Sequence, residues 1–258
     1  MSPAARAPLI WVTAAYLAQL FLAASLPTVA DEAYYAAWGR SLALGYLDHP
    51  PLIAFWSAYG GRALNAVMTP LTLWLFMCTG KRLGIQKSDW FPALFSLTPL
   101  GLAAGVLVTP DIPLLFSSAL LLWAWSTERG LLVGFAFAVG LSSKALILFY
   151  LPALLLTMRI RQSAIALLFA LLIYSPQLYW SLHHEGYPWR FQFGRPMLGP
   201  HPLHFVFTQL LCIGPLLVPA ALAAVMRSFS TFWRKHSICE VKKGGGPTWQ
   251  ISRLLLSA

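Results

Sequence analysis

The chain has 258 residues, of which 58% are apolar and 10% charged, with a mean hydropathy of +0.66 and a net charge of +10. A soluble domain is nearer to about 45–50% apolar and about 25% charged. The excess excludes a water-soluble globule and a disordered chain, and it points to an all-α polytopic membrane protein, because lipid cannot satisfy an open backbone. In such a chain Lys and Arg are topology markers, so nucleic acid is not the expected partner.

Eight apolar stretches read as spans: 8–28, 63–80, 90–108, 110–126, 130–142, 145–158, 163–180 and 203–226. The first carries Arg6 ahead of it and a cleavage-like Thr28-Val29-Ala30 behind it. Its apolar length exceeds the roughly 7–15 residues of a signal peptide, so it reads as an uncleaved helix with a cytoplasmic N-terminus. Residue 31 onward is then outside. The stretch 130–158 reads as one helix or as two broken at Ser142-Ser143-Lys144, and charge decides between them. With two passes, only Arg40, Arg62, Lys144, Arg190 and Arg195 of the 18 Lys and Arg fall outside. One pass would put the majority outside, against the positive-inside rule. Two passes also place Lys144 at a helix end rather than mid-bilayer, where a charge costs at least about 2.5 kcal/mol.

The first outer loop, 29–62, is rich in Tyr and Trp, which suits a membrane interface. Apolar residues at helical spacing over 33–44 and 52–59 predict two amphipathic interfacial helices with a turn from Gly45 to Pro51 between them. The second outer loop, about 181–202, holds His183, His184, Glu185, Trp189, Arg190, Arg195 and His201. Residues 1–226 read as the transmembrane domain, and 227–258, with Lys242-Lys243-Gly244-Gly245-Gly246, as a basic cytoplasmic tail. Cys78 and Cys212 lie in apolar runs and Cys239 in the tail, so no disulfide framework is implied.

On this topology the carboxylates sort unevenly. Asp31, Glu32, Asp48, Asp111 and Glu185 are outside, and Asp89, Glu128 and Glu240 inside. Acidic residues have little say in topology, so the outer face is a candidate site. Asp31-Glu32 suits a general base or a metal ligand, and equally a solvated loop. Asp48-His49-Pro50-Pro51 is a second cluster or simply a turn. Asp111, after Thr109-Pro110, is a site carboxylate or a helix cap. Lys144 reads as an anion contact at a lipid phosphate or as a snorkelling side chain. Arg190 and Arg195 suit bidentate phosphate contacts or general attraction to headgroups. His183-His184-Glu185 is a loose metal pattern with no second spaced set.

The motif DEAYYAAWGRSLALGYLDHPPLIAFW (31–56) resembles the first outer loop of the bacterial glycosyltransferase family 39 group. That group is related to the dolichyl-phosphate-mannose protein mannosyltransferases and the lipid A aminoarabinose transferase. The resemblance continues in order through LTPLGLAAGVLVTPDIPLLFSSALLLWA (97–124), VGLSSKALILFYLPALLL (139–156) and SPQLYWSLHHEGYPWRFQFGR (175–195). It implies a GT-C fold in a bacterial inner membrane, with the active face periplasmic. It further implies inverting transfer of a sugar from a polyprenyl-phosphate donor to a lipid or protein acceptor. Asp31 would be the catalytic aspartate with Glu32 beside it. Lys144, with Arg190 and Arg195, would bind donor phosphate, and Tyr35, Asp48, His49 and Asp111 would line the substrate site. No cofactor is assigned by the residues, and a divalent metal stays open. Family members are longer, and after Met226 the texture changes, so the chain reads as C-terminally truncated. The competing expectations are an inactive transferase fragment and a small membrane transporter. The transporter would carry charges near the bilayer midplane, and here they sit at span ends.

Overall fold

The structure, a computed structural model, describes residues 3–194 and Thr208. The expected span 203–226, the tail 227–258, Arg195, His201, Cys212 and Cys239 lie outside the described residues. Eleven α-helices and no strand are found among those described. The long first helix, α1 (Pro3–Ser25), is followed by two short ones, α2 (Ala30–Gly39) and α3 (Leu52–Tyr59). These fall where two helices are expected, but α2 stops at Gly39. Beyond it the chain folds around Tyr46, whose hydroxyl donates to Ser41 O (2.9 Å) and accepts from Ala43 N (3.0 Å).

A tight turn leads into α4 (Arg62–Arg82). Gly61 has φ +53°, a left-handed conformation that costs glycine no steric penalty. After α4 come α5 (Phe91–Ser96), α6 (Pro99–Val106) and α7 (Asp111–Trp125). Then follow α8 (Gly130–Ser143), α9 (Leu151–Thr157), α10 (Ile160–His183) and α11 (Tyr187–Gly194).

Eight spans are not shown by the described helices. Three, α1, α4 and α10, are each long and apolar enough to cross a membrane. A fourth candidate joins α6 and α7 across a 107° bend. The expected span 90–108 is divided because Pro92 and Pro99 each start a helix, as proline favours the first turn. Thr98 caps the second, its hydroxyl accepting from Gly101 N at 2.8 Å. The expected span 145–158 opens as a 3₁₀ turn, Ala145–Tyr150, before α9. At 14 residues, α8 is about 21 Å long, short of a hydrocarbon core of about 30 Å.

Apolar side chains such as Phe21, Leu168 and Leu172 stand about two-thirds exposed on the long helices. So much outward apolar surface suits lipid rather than water. Inside, α8 packs between α7 and α10, burying Leu121, Val133, Ala136, Phe137 and Ile147. Small residues permit this approach, since a side chain at Gly134 would collide with the Ala166 carbonyl on α10. Pro176 interrupts α10, and the Ser175 hydroxyl takes up the Leu172 carbonyl at 2.8 Å.

The α6–α7 bend needs partners for its freed backbone groups. Asn65, fully buried on α4, donates to Leu107 O (2.8 Å) and accepts from the Trp56 indole (2.8 Å). It thereby joins α3, α4 and the bend, over a small core of Tyr35, Ile53, Trp56, Ala104, Val108 and Ile112. Replacing Asn65 with Leu keeps the volume but strands both partners, at a cost of roughly 2–4 kcal/mol. Thermal melting in detergent is expected to show N65L well below wild type. An unchanged midpoint would remove Asn65 from this role.

Candidate functional site

The residues of the expected outer loop are organised by one buried carboxylate. Glu32 sits in the first turn of α2, where free amides and the helix dipole favour an acid. It accepts from Val29 N (3.1 Å), Val108 N (3.1 Å) and both Nε (2.8 Å) and Nη2 of Arg62. The same guanidinium donates to Ala23 O, Leu26 O and Pro27 O at 2.7–2.9 Å, capping the end of α1. Glu32 is only 5% exposed. Burial pushes its carboxyl up. The bonds from Arg62, Val29 and Val108 and the Arg62 charge outweigh that and hold it below the ordinary value.

Neighbouring helix residues point about 100° apart, so with Glu32 turned inward its neighbour Asp31 is exposed. Tyr35, one turn further on, is buried. Burial raises its phenol above the usual range, and the carboxylates of Asp48, Asp31 and Asp111 raise it further. Three of the candidate acids therefore act on one phenol, which stays protonated and able to donate. Asp48 is placed by the 40–51 loop, whose Tyr46 ring stacks on Trp38 at 4.3 Å. Tyr34 donates to Asp48 Oδ1 at 3.3 Å, and the His49 ring meets Tyr35 edge-on.

Lys144 comes to the same group from the other side. The buried Ser143 hydroxyl donates to Pro110 O at 2.6 Å, tying the end of α8 to the start of α7. Lys144 Nζ then lies 2.7 Å from Asp111 Oδ1. With Asp48, His49 and Gln177, Lys144 lines a cavity of about 490 Å³ whose remaining wall includes Leu146, Leu148, Phe149 and Trp189. A cleft of about 650 Å³ lies against Tyr34, Trp38, Tyr46, Trp180 and His184.

Arg190, the other described basic candidate, does not line the Lys144 cavity. It is exposed on α11, 3.5 Å from Glu185. His183 and His184 bond back to Tyr179 O and Trp180 O within α10. Among the described residues no three His, Cys, Asp or Glu gather as a metal set. Sequence reasoning missed Arg62, Asn65, Tyr174 and Gln177. The last three are polar residues within apolar helices, a signal that merits attention in any membrane protein. Arg62 follows Gly60-Gly61 at the mouth of a span and reads as a topology marker from sequence alone.

Over 232 residues the chain is 29% identical to the lipid A galacturonosyltransferase RgtD of Rhizobium johnstonii. The match covers 76% of this chain and 49% of the relative, so the chain spans about half the length of the protein it matches. No family model and no solved structure matches it.

Because the Glu32 carboxyl is lowered on folding, its contribution to stability is present above the ordinary carboxylate range and lost as pH falls through the folded value. The wild-type melting temperature is expected to drop below about pH 4.3. In Glu32→Gln it should start several degrees lower and show a flatter acid limb. Equal acid limbs in both proteins would mean that Glu32 is not the linked group.

Proposed function

We propose that the chain carries the catalytic face of a membrane glycosyltransferase that moves a sugar from a polyprenyl-phosphate donor to a glycolipid acceptor outside the cytoplasm. The observation that carries this reading is Lys144 held on Asp111 beside a part-apolar cavity that Asp48 and His49 also line, with Asp31 exposed on the turn of α2 that Glu32 fixes. The similarity to a lipid A galacturonosyltransferase supports the reaction class and favours a lipid over a protein as acceptor. It also makes polyprenyl-phosphate galacturonate the first donor to try.

A phosphate-linked lipid needs a cation for its head and an apolar wall for its chain, and the Lys144 cavity offers both. The Lys144–Asp111 pair is partly exposed, so it contributes only about 0–1 kcal/mol and yields readily to a phosphate. An ammonium also has three donors, enough to hold Asp111 and an incoming oxygen together. In the transfer, Asp31 takes the proton from the acceptor hydroxyl as its oxygen attacks the anomeric carbon. The bond from that carbon to the phosphate oxygen breaks, and the electron pair leaves with the phosphate. Lys144 stabilises the charge that develops there. A phosphate leaves as an anion without an acid, so one carboxylate base is sufficient. Glu32, already bound by four hydrogen bonds, serves to position Asp31 and Tyr35 and not to exchange protons.

The test is transfer from polyprenyl-phosphate galacturonate to a lipid A acceptor by purified chain in lipid nanodiscs. Asp31→Asn is expected to lower kcat by about 10²–10⁴ with donor KM little changed. Lys144→Met should lower kcat by about 10²–10³, with partial recovery in Lys144→Arg. Full activity in Asp31→Asn would overturn its role as base.

A further inference from the structure

Gln177 is 6% exposed on the apolar helix α10 and lines the cavity that holds Lys144. Its Oε1 has no hydrogen-bond partner among the described residues. Ser163 and Ser181 are buried in the same condition, but neither lines this cavity. Tyr174, three residues earlier and so on the same helix face, also forms part of its wall. A buried carbonyl oxygen left without a partner is unfavourable, and more so on a helix in lipid, where leucine would pack at no such cost.

We infer that Gln177 reads the sugar of the phosphate-linked donor, its side-chain amide exchanging hydrogen bonds with hydroxyl groups of the ring. This rests on the donor reading given above and extends it to a specificity-determining residue. The chemistry of the amide selects the occupant. Its carbonyl oxygen requires a donor, which neither an ionised phosphodiester nor an isoprenoid chain supplies. A sugar carries several hydroxyls, each both donor and acceptor, and so meets an amide in either orientation. The cavity therefore divides its tasks: Lys144 answers the phosphate, Leu146 and Phe149 the isoprenoid chain, and Gln177 the sugar.

Equilibrium binding of two probes to the full chain in nanodiscs tests this: a short-chain polyprenyl phosphate, bare and carrying galacturonate. Gln177→Leu is expected to weaken the sugar-bearing probe by about tenfold or more and leave the bare one unchanged. Gln177→Asn, which withdraws the amide but keeps its polarity, should show the same selectivity, less strongly. Lys144→Met should weaken both probes. If Lys144→Met weakens both while the Gln177 variants affect neither, or both equally, the assignment of Gln177 fails and the donor reading stands. If wild type binds neither probe, both fall together. Melting temperatures within a few degrees of wild type confirm that each variant is folded, and Gln177→Asn decides the matter should Gln177→Leu melt early.

Discussion

A carboxylate buried beside four hydrogen-bond donors holds the Asp31-bearing end of this molecule together. Burying an ion pair usually gains little, since the desolvation of both charges offsets their attraction. The Glu32–Arg62 pair is different in kind because neither partner is left with idle capacity. Arg62 spends its remaining donors on three carbonyls at the end of α1, and Glu32 spends its remaining lone pairs on the amides of Val29 and Val108. Three stretches of chain far apart in sequence, around 23–32, Arg62 and Val108, are thus fastened through two side chains. Asp31 is set by this knot without belonging to it, since the inward turn of Glu32 dictates the outward turn of its neighbour.

The bend between α6 and α7 is the second constraint, and it depends on the first. Irregular backbone at membrane depth persists only where protein or a water-lined cavity satisfies it. Here the Leu107 carbonyl goes to Asn65 and the Val108 amide to Glu32. The bend turns the start of α7 so that Asp111 meets Lys144 and Pro110 receives Ser143. Folding and chemistry are linked at this point: the polar groups that stabilise a broken helix also place the residues around the cavity.

Much of this was legible in the sequence. Apolar length marked α1, α4 and α10, and helical spacing marked α2 and α3. The carboxylates expected outside stood out because topology gave no reason for their bias. The remainder was hidden for identifiable reasons. Hydropathy does not register where a run is cut, so 90–108 read as one span although Pro92 and Pro99 divide it. Length and charge balance marked the break that the chain makes at Lys144, but not that the stretch beyond it opens as a 3₁₀ turn before seven α-helical residues. Glu32 looked equivalent to Asp31, because nothing local to the pair reveals Arg62, thirty residues away, as its partner. Gln177 was absorbed into an apolar stretch, and only the cavity beside it makes its amide conspicuous.

The central claim is that the acid group and Lys144 serve one prenyl-linked saccharide. A photoreactive polyprenyl phosphate, with the label on its first isoprene unit, tests this most directly. The account predicts adducts on the segment following Lys144, from Leu146 to Phe149, and on Trp189, lost when unlabelled donor competes. A cavity of about 520 Å³ elsewhere in the fold is lined by Trp125, Glu128, Arg159 and Gln162. Competed labelling confined to those residues, with none near Lys144, would contradict the account.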